Sequence, residues 1–215
     1  MADPTAPDTV DREVSAVDFW FDPACPWTWV TSRWLVVAAE ERDFTITWRP
    51  YSLKIKNGDG VPEQYRENVE QSHRALRVIA RLAAEVGNDA VDAFYTERGH
   101  RFFDGDGTFP DLAEVLEAAG LDPAYAAAAD DVAYDAAIQA SMDHAHALAG
   151  DSNGSPILSI RGTGRGFFGP LLTAVPDTKA STQLWDALET LFEIPELHEL
   201  KRDRAVPPTF PPRAA

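Results

Sequence analysis

Cysteine is almost absent from this chain: 215 residues contain one, Cys25. An intrachain disulfide is therefore excluded, and a disulfide-stapled secreted scaffold with it. Positive charge is also scarce. Nineteen Lys and Arg face 35 Asp and Glu, giving a formal net charge of −16 and a pI near 4.6. Such a balance argues against nucleic acid or an anionic membrane as the main partner. No apolar run approaches the ~18 residues of a membrane span. The first residues, Met1-Ala2-Asp3-Pro4-Thr5, lack the positive and hydrophobic regions of a secretory signal. Together these absences predict a cytoplasmic setting. Internal repeats, a Gly-x-Ser-x-Gly elbow and a nicotinamide fingerprint in its strand–turn–helix context are missing as well.

What is present centres on Phe21-Asp22-Pro23-Ala24-Cys25-Pro26-Trp27-Thr28. The alternation of Val17, Phe19 and Phe21 predicts a strand over 15–21. The amphipathic stretch that follows predicts a helix over 26–42, with Pro26 in the first turn, where its missing N–H costs nothing. Cys25 then lies at a helix N-terminus, whose unpaired N–H groups and dipole favour a thiolate. A thiol of pKa near 8.5 is about 3% ionised at pH 7. Lowering that value to about 6 takes roughly 3.4 kcal/mol of differential stabilisation. Asp22 would oppose the thiolate if it faced the sulfur, so its side chain is expected to point away and cap the helix.

Phe44–Arg49 alternates at period two and reads as a second strand, broken by Asn57-Gly58-Asp59-Gly60. Helical character then runs from Pro62 to about Ala149. Val69, Leu76, Ile79, Ala80 and Ala83 mark one apolar face, and further helices are expected near 89–101, 110–119 and 122–148, the last broken near Asp130. The Ala-rich 124–129 supports helix by propensity. Pro156–Ile160 and Gly166–Gly169 read as short strands joined by a tight turn, and 180–193 as a closing helix. These segments imply an α/β, thioredoxin-like domain over 14–58 plus 150–204, with an all-helical lid inserted over 59–149. A disordered tail is expected over 1–13 and a Pro-rich tail over 205–215.

Other groups carry less chemistry. His144 and His146 are two apart, about 200° around a helix, and cannot share a metal. Asp104-Gly105-Asp106-Gly107 opens like a calcium loop, but Phe109 replaces the required glycine and Val115 the acidic twelfth ligand. No metal is expected. His73 and His100 read as surface or satisfied histidines, and Trp34 as core.

Asp18–Pro23 leading into Cys25-Pro26-Trp27 resembles the DsbA-like thioredoxin-fold proteins, and most of all their actinobacterial mycothiol-dependent nitroreductase branch. Thr31-Ser32-Arg33-Trp34, Pro62–Glu67, Phe167–Pro170 and Glu199–Arg202 agree with it, so the resemblance spans roughly 15–210. It implies that Cys25 is the nucleophile and Trp27 a wall of its pocket. It also implies that Ser155-Pro156 is a cis-proline loop facing the sulfur, and that Asn57 and Tyr65 line the substrate pocket. A low-molecular-weight thiol, mycothiol or glutathione, would be the co-substrate and reductant. The substrate would be a small flat molecule, nitroaromatic or quinone-like, or a mixed disulfide, and the protein a monomer or homodimer.

The resembling family carries Cys-Pro-Trp-Cys, whereas the fourth residue here is Thr28. Thr28 cannot expel a partner from a mixed disulfide, although its hydroxyl can hydrogen-bond the Cys25 sulfur. Resolution then falls to a second thiol molecule or a separate redoxin. Two other functions stay open. One is a thiol-cofactor-dependent isomerase or transferase of the hydroxychromene-carboxylate isomerase or kappa glutathione transferase type, which shares the inserted architecture and lacks the second cysteine. The other is a non-catalytic binding protein.

Overall fold

The computed structural model describes residues 16–105 and 107–213; the expected tail over 1–13 lies outside them. The sheet has four strands in the order β2-β1-β3-β4. Strand β1 (Ala16–Phe21) pairs in parallel with β2 (Thr45–Pro50) and antiparallel with β3 (Ile157–Ile160), which pairs antiparallel with β4 (Phe167–Phe168). A parallel pair needs a long crossover, and helix α1 (Pro26–Arg42) supplies it. Between β2 and β3 lie α2 (Leu53–Asn57), α3 (Arg66–Glu85), α4 (Asn88–Phe103), α5 (Leu112–Ala118) and α6 (Asp135–Ala149), and α7 (Thr178–Phe192) follows β4. This is the mixed α/β, thioredoxin-like architecture with inserted helices. No described helix is long and apolar enough to cross a membrane.

All six residues of β1 are buried, so both of its faces are covered. Phe19 and Phe21 meet the edge of Trp48 on one face, and Phe21 lies 4.1 Å from Tyr95 of α4 between ring centroids. Trp20 points the other way and donates its indole N–H to the Ser141 carbonyl of α6 at 2.9 Å. Asp18, at 5% exposure, survives burial because Arg49 and Arg161 pair with it. Trp34 is core, as expected, and with Trp185 it locks α1 to α7. Asp43, in the left-handed region at φ 51°, ends α1.

Three local features differ from expectation. The Ala-rich 124–129 lies in a 3-10 segment, Pro123–Asp130, and a second one, Val132–Tyr134, precedes α6. Arg77 and Arg81 of α3 donate to the carbonyls of Ala129 and Ala124, while Asp122 caps the start. Arg77 and Arg81 thus tie two carbonyls of this segment to α3. Helix α2 was not expected; Ser52 caps it by accepting the Ile55 N–H at 3.2 Å. On α3 the buried face takes Leu82 and leaves Ala83 exposed.

Candidate active site

The first helical bond of α1 runs from the Trp29 N–H to the Cys25 carbonyl, which makes Cys25 the N-cap. Cys25 is 8% exposed, and its sulfur donates to the Ser155 carbonyl at 3.8 Å. The Ser155–Pro156 bond is cis, as expected. Thr28 is fully buried, and its hydroxyl lies 2.9 Å from that of Ser155. Ser155 Oγ also accepts the Asp22 N–H at 3.0 Å, tying the strand end to the proline loop. Cys25, Thr28, Ser155 and Pro156 thus come together, with Pro26 in the first turn. Trp27 is half-buried, and the Arg204 guanidinium lies 5.2 Å above its ring. Asn57 and Tyr65 are exposed on the α2–α3 connection, and neither side chain is hydrogen-bonded to the Cys25 loop among the described residues.

The electrostatics reverse one expectation. Burial pushes the Cys25 thiol above its ordinary range, and the Asp22 charge adds to that. The Thr28 hydroxyl and the N–H groups of Thr28 and Trp27 pull the other way and do not win. A helix N-terminus does favour the thiolate here, but a sulfur this deeply buried loses more by leaving water. The resting group is a thiol, in keeping with its donation to a carbonyl.

Asp22 does not cap α1 either. Its Oδ1 accepts the Ala24 N–H at 3.0 Å and the Ser72 hydroxyl of α3, while Oδ2 accepts the Leu53 N–H of α2 at 2.8 Å. Burial holds the Asp22 carboxyl above its usual range despite these donors. Beneath the loop, Arg98 of α4 is 1% exposed and donates to the Pro23 carbonyl at 2.8 Å. Burial brings its pKa down to about 10, so it stays a cation at neutral pH, with Asp22 supporting its charge.

Sequence reasoning missed Ser72, Arg98 and a second cis bond, Gly169–Pro170. Pro170 stands close: the Gly169 N–H donates to the Pro156 carbonyl, and Thr31 Oγ1 donates to the Pro170 carbonyl. Gly99, in mid-helix, was the available signal for Arg98. It lets α4 press against the Trp29 ring and sets its neighbour under the loop.

Two other constellations stand apart from Cys25. Ser52, His73 and Asp135 form a hydrogen-bonded series, with Ser52 Oγ 2.9 Å from His73 Nδ1 and His73 Nε2 3.0 Å from Asp135. Ser52 is fully buried and caps α2, so the hydroxyl has no access to a substrate. A cavity of about 430 Å³ opens on α4 beside Asp92, Thr96, Glu97 and His100, and Cys25 does not line it. His73 is a satisfied histidine, as expected. His146 meets the Tyr51 hydroxyl at 3.1 Å, while His144 lies edge-on to Trp20. Among the described residues no cluster of metal-ligating side chains occurs.

The family Rv2466c-like, described as mycothiol-dependent nitroreductase Rv2466c, matches residues 24–202. The uncharacterized protein Rv2286c of Mycobacterium tuberculosis is 29% identical over 197 residues, spanning 89% of this chain and 84% of that protein. Among solved structures, the probable DsbA oxidoreductase SCO1869 of Streptomyces coelicolor matches with a TM-score of 0.53 at 22% identity, covering 88% of this chain and 94% of the other. The cytosolic disulfide reductase DsbM of Pseudomonas aeruginosa matches with a TM-score of 0.55 at 16% identity, covering 82% and 99%. At these identities the structural likenesses speak for the fold.

Proposed function

The chain belongs to the Rv2466c-like family of mycothiol-dependent nitroreductases, and from that membership we propose a thiol-dependent oxidoreductase built on one cysteine. The observation that carries the reading is the enclosed Cys25 sulfur at the start of α1, against the Ser155 carbonyl and beside Thr28. A low-molecular-weight thiol, mycothiol in the family's own description, is the reductant, and a small flat electrophile such as a nitroaromatic is the substrate. The substrate takes two electrons and two protons as Cys25 and one thiol molecule each lose a proton and join through an S–S bond. A second thiol molecule attacks that bond, leaves with the first as the symmetrical disulfide, and its proton returns to Cys25. For a nitro group the sum is two thiols and a nitroarene giving one disulfide, a nitrosoarene and water.

Each local group has a part in this cycle. N–H groups of the first turn and the Thr28 hydroxyl stabilise the sulfur whenever it is anionic. Burial keeps it protonated between turnovers. Thr28 offers no second sulfur, so release of the bound thiol depends on a second molecule. The α2–α3 connection, with Asn57 and Tyr65, supplies the outer wall, and Trp27 the aromatic face for a flat ring.

The test follows thiol loss and product formation together, in wild type and Cys25→Ala, with intact mass to detect a mixed disulfide. Two thiols consumed per two-electron reduction, with activity lost in Cys25→Ala, is the expected result. The absence of a second cysteine also favours a thiol-cofactor isomerase or transferase, and product formed without net oxidation of thiol to disulfide would point there. Undiminished turnover in Cys25→Ala would overturn both readings.

A further inference from the structure

After Phe192 the chain leaves α7 and runs to residue 213 without further helix or strand. It does not run free. The Thr209 N–H donates to the Thr173 carbonyl at 2.7 Å, and the Phe210 ring lies 4.8 Å from Phe103, itself stacked on Trp29. Arg213 pairs with the buried carboxylate of Glu97. These pins draw the segment past the start of α1 and along the C-terminal half of α4 as a strap, and Arg204 lies on it, 5.2 Å over the ring of Trp27. Beyond that ring contact, the described residues offer Arg204 no hydrogen bond or ion pair, so its five N–H donors are uncommitted over Trp27, two residues along the chain from Cys25.

The charge pattern points the same way. In a chain of net charge −16, three cations fall within Lys201-Arg202-Asp203-Arg204. An anion repelled by most of this surface meets a local exception where Arg204 rides on Trp27. A guanidinium matches two coplanar oxygens of a carboxylate or nitro group through parallel N–H donors, which a lone indole cannot do. Arg204 also lies past the family match, which ends at residue 202, so the family pattern does not provide it.

We propose that Arg204, held over Trp27 by the C-terminal strap, is a specificity-determining residue that selects flat aromatic substrates carrying an anionic oxygen group. Trp27 takes the ring and Arg204 takes the oxygens, which orients the electrophile toward Cys25. The assignment deepens the oxidoreductase reading and rests on it for the role of Cys25.

The experiment measures equilibrium binding of 4-nitrobenzoate and 4-nitrobenzamide by quenching of tryptophan fluorescence. Wild type, Arg204→Ala and Arg204→Lys are compared, with Trp27→Phe to identify the responding ring. Wild type should prefer the carboxylate probe by about tenfold, in the range expected of a hydrogen-bonded charge. Arg204→Ala should bind both probes alike, and Arg204→Lys should keep part of the preference. The preference should also shrink in high salt, because the pair is exposed. Equal binding of the two probes by wild type, or an undiminished preference in Arg204→Ala, would overturn the assignment. Thiol-dependent turnover is measured on the same preparations. Its absence alongside an intact Arg204-dependent preference would sink the oxidoreductase reading while supporting selection by Arg204.

Discussion

Replacing Gly99 by alanine tests how the two helices around the thiol loop are fitted together. A Cβ at Gly99 would stand 2.2 to 2.5 Å from three carbons of the Trp29 ring. Non-bonded carbons need about 3.5 Å, so the ring or α4 must retreat by roughly 1.3 Å. The ring has nowhere obvious to go. It is fully buried, stacked on Phe103 at 5.7 Å, edge-on to Tyr95 and His100, with the Arg33 guanidinium 4.5 Å away. Overpacking of this kind costs typically 1–3 kcal/mol, and a shift beyond an ångström places Gly99→Ala near the upper end. Alanine recovers about 1 kcal/mol through better helix propensity, which leaves a net loss of about 2 kcal/mol. For a protein of this size that is a fall in Tm of about 4–8 °C, read by thermal melting and confirmed by the denaturant midpoint. Gly60→Ala, with open space around its Cβ position, should change stability by less than about 0.5 kcal/mol. Trp29→Phe should relieve part of the clash, so the double variant should lose less than the two singles added together. A Gly99→Ala protein as stable as wild type, with the same coupling to Trp29→Phe as distant pairs show, would refute the claim of close contact.

The pH dependence of Cys25 alkylation should show an apparent pKa above that of an ordinary thiol, because burial raises it. Asp22→Asn should lower that value by removing a nearby charge, and Thr28→Val should raise it by removing a donor to the anion; opposite shifts would contradict the electrostatic account. Because the folded pKa of Cys25 is raised, its contribution to stability is complete below the unfolded value of about 8.5 and is lost as pH climbs through the folded value. Denaturant titrations should therefore show an alkaline decline that is shallower in Cys25→Ala. Asp135 behaves in the opposite sense: its bond with Arg77 lowers its folded pKa, so its contribution holds above about 3.9 and fades as pH falls. Asp135→Asn should flatten the acid limb of the same titration. Ser52→Ala should cost about 1–2 kcal/mol by denaturant unfolding, since one hydroxyl both caps α2 and bonds His73.

Local pattern carried far in this chain. Alternation gave β1 to within a residue, and the cap position of Cys25 followed from Pro26 and the apolar stripe after it. The cis bond at Pro156 was legible through the resemblance. What stayed hidden depended on contacts between distant segments. Asp22 looks like a helix cap when read beside Cys25, yet Ser72 and Leu53 claim its oxygens from 50 and 31 positions away. The thiol's raised pKa has the same origin, because enclosure is a property of the packed molecule and the helix terminus is a local one. Arg98 sits between Glu97 and Gly99 as any surface arginine might, and only the packing of α4 on α1 buries it. The Ala-rich stretch is likewise bound by distant residues, its carbonyls accepting from Arg77 and Arg81 some 40 to 50 residues earlier.

The lone enclosed thiol also makes this molecule its own gauge of integrity. In the native state Cys25 is 8% exposed and held protonated, so a small labelling reagent near neutral pH modifies it more slowly than an open thiol. An opened chain presents the same sulfur in water with an ordinary ionisation, and no second cysteine adds background. The fraction labelled in a short pulse then counts molecules that have come apart. Destabilising changes anywhere in the fold would register at one atom, without a probe being introduced.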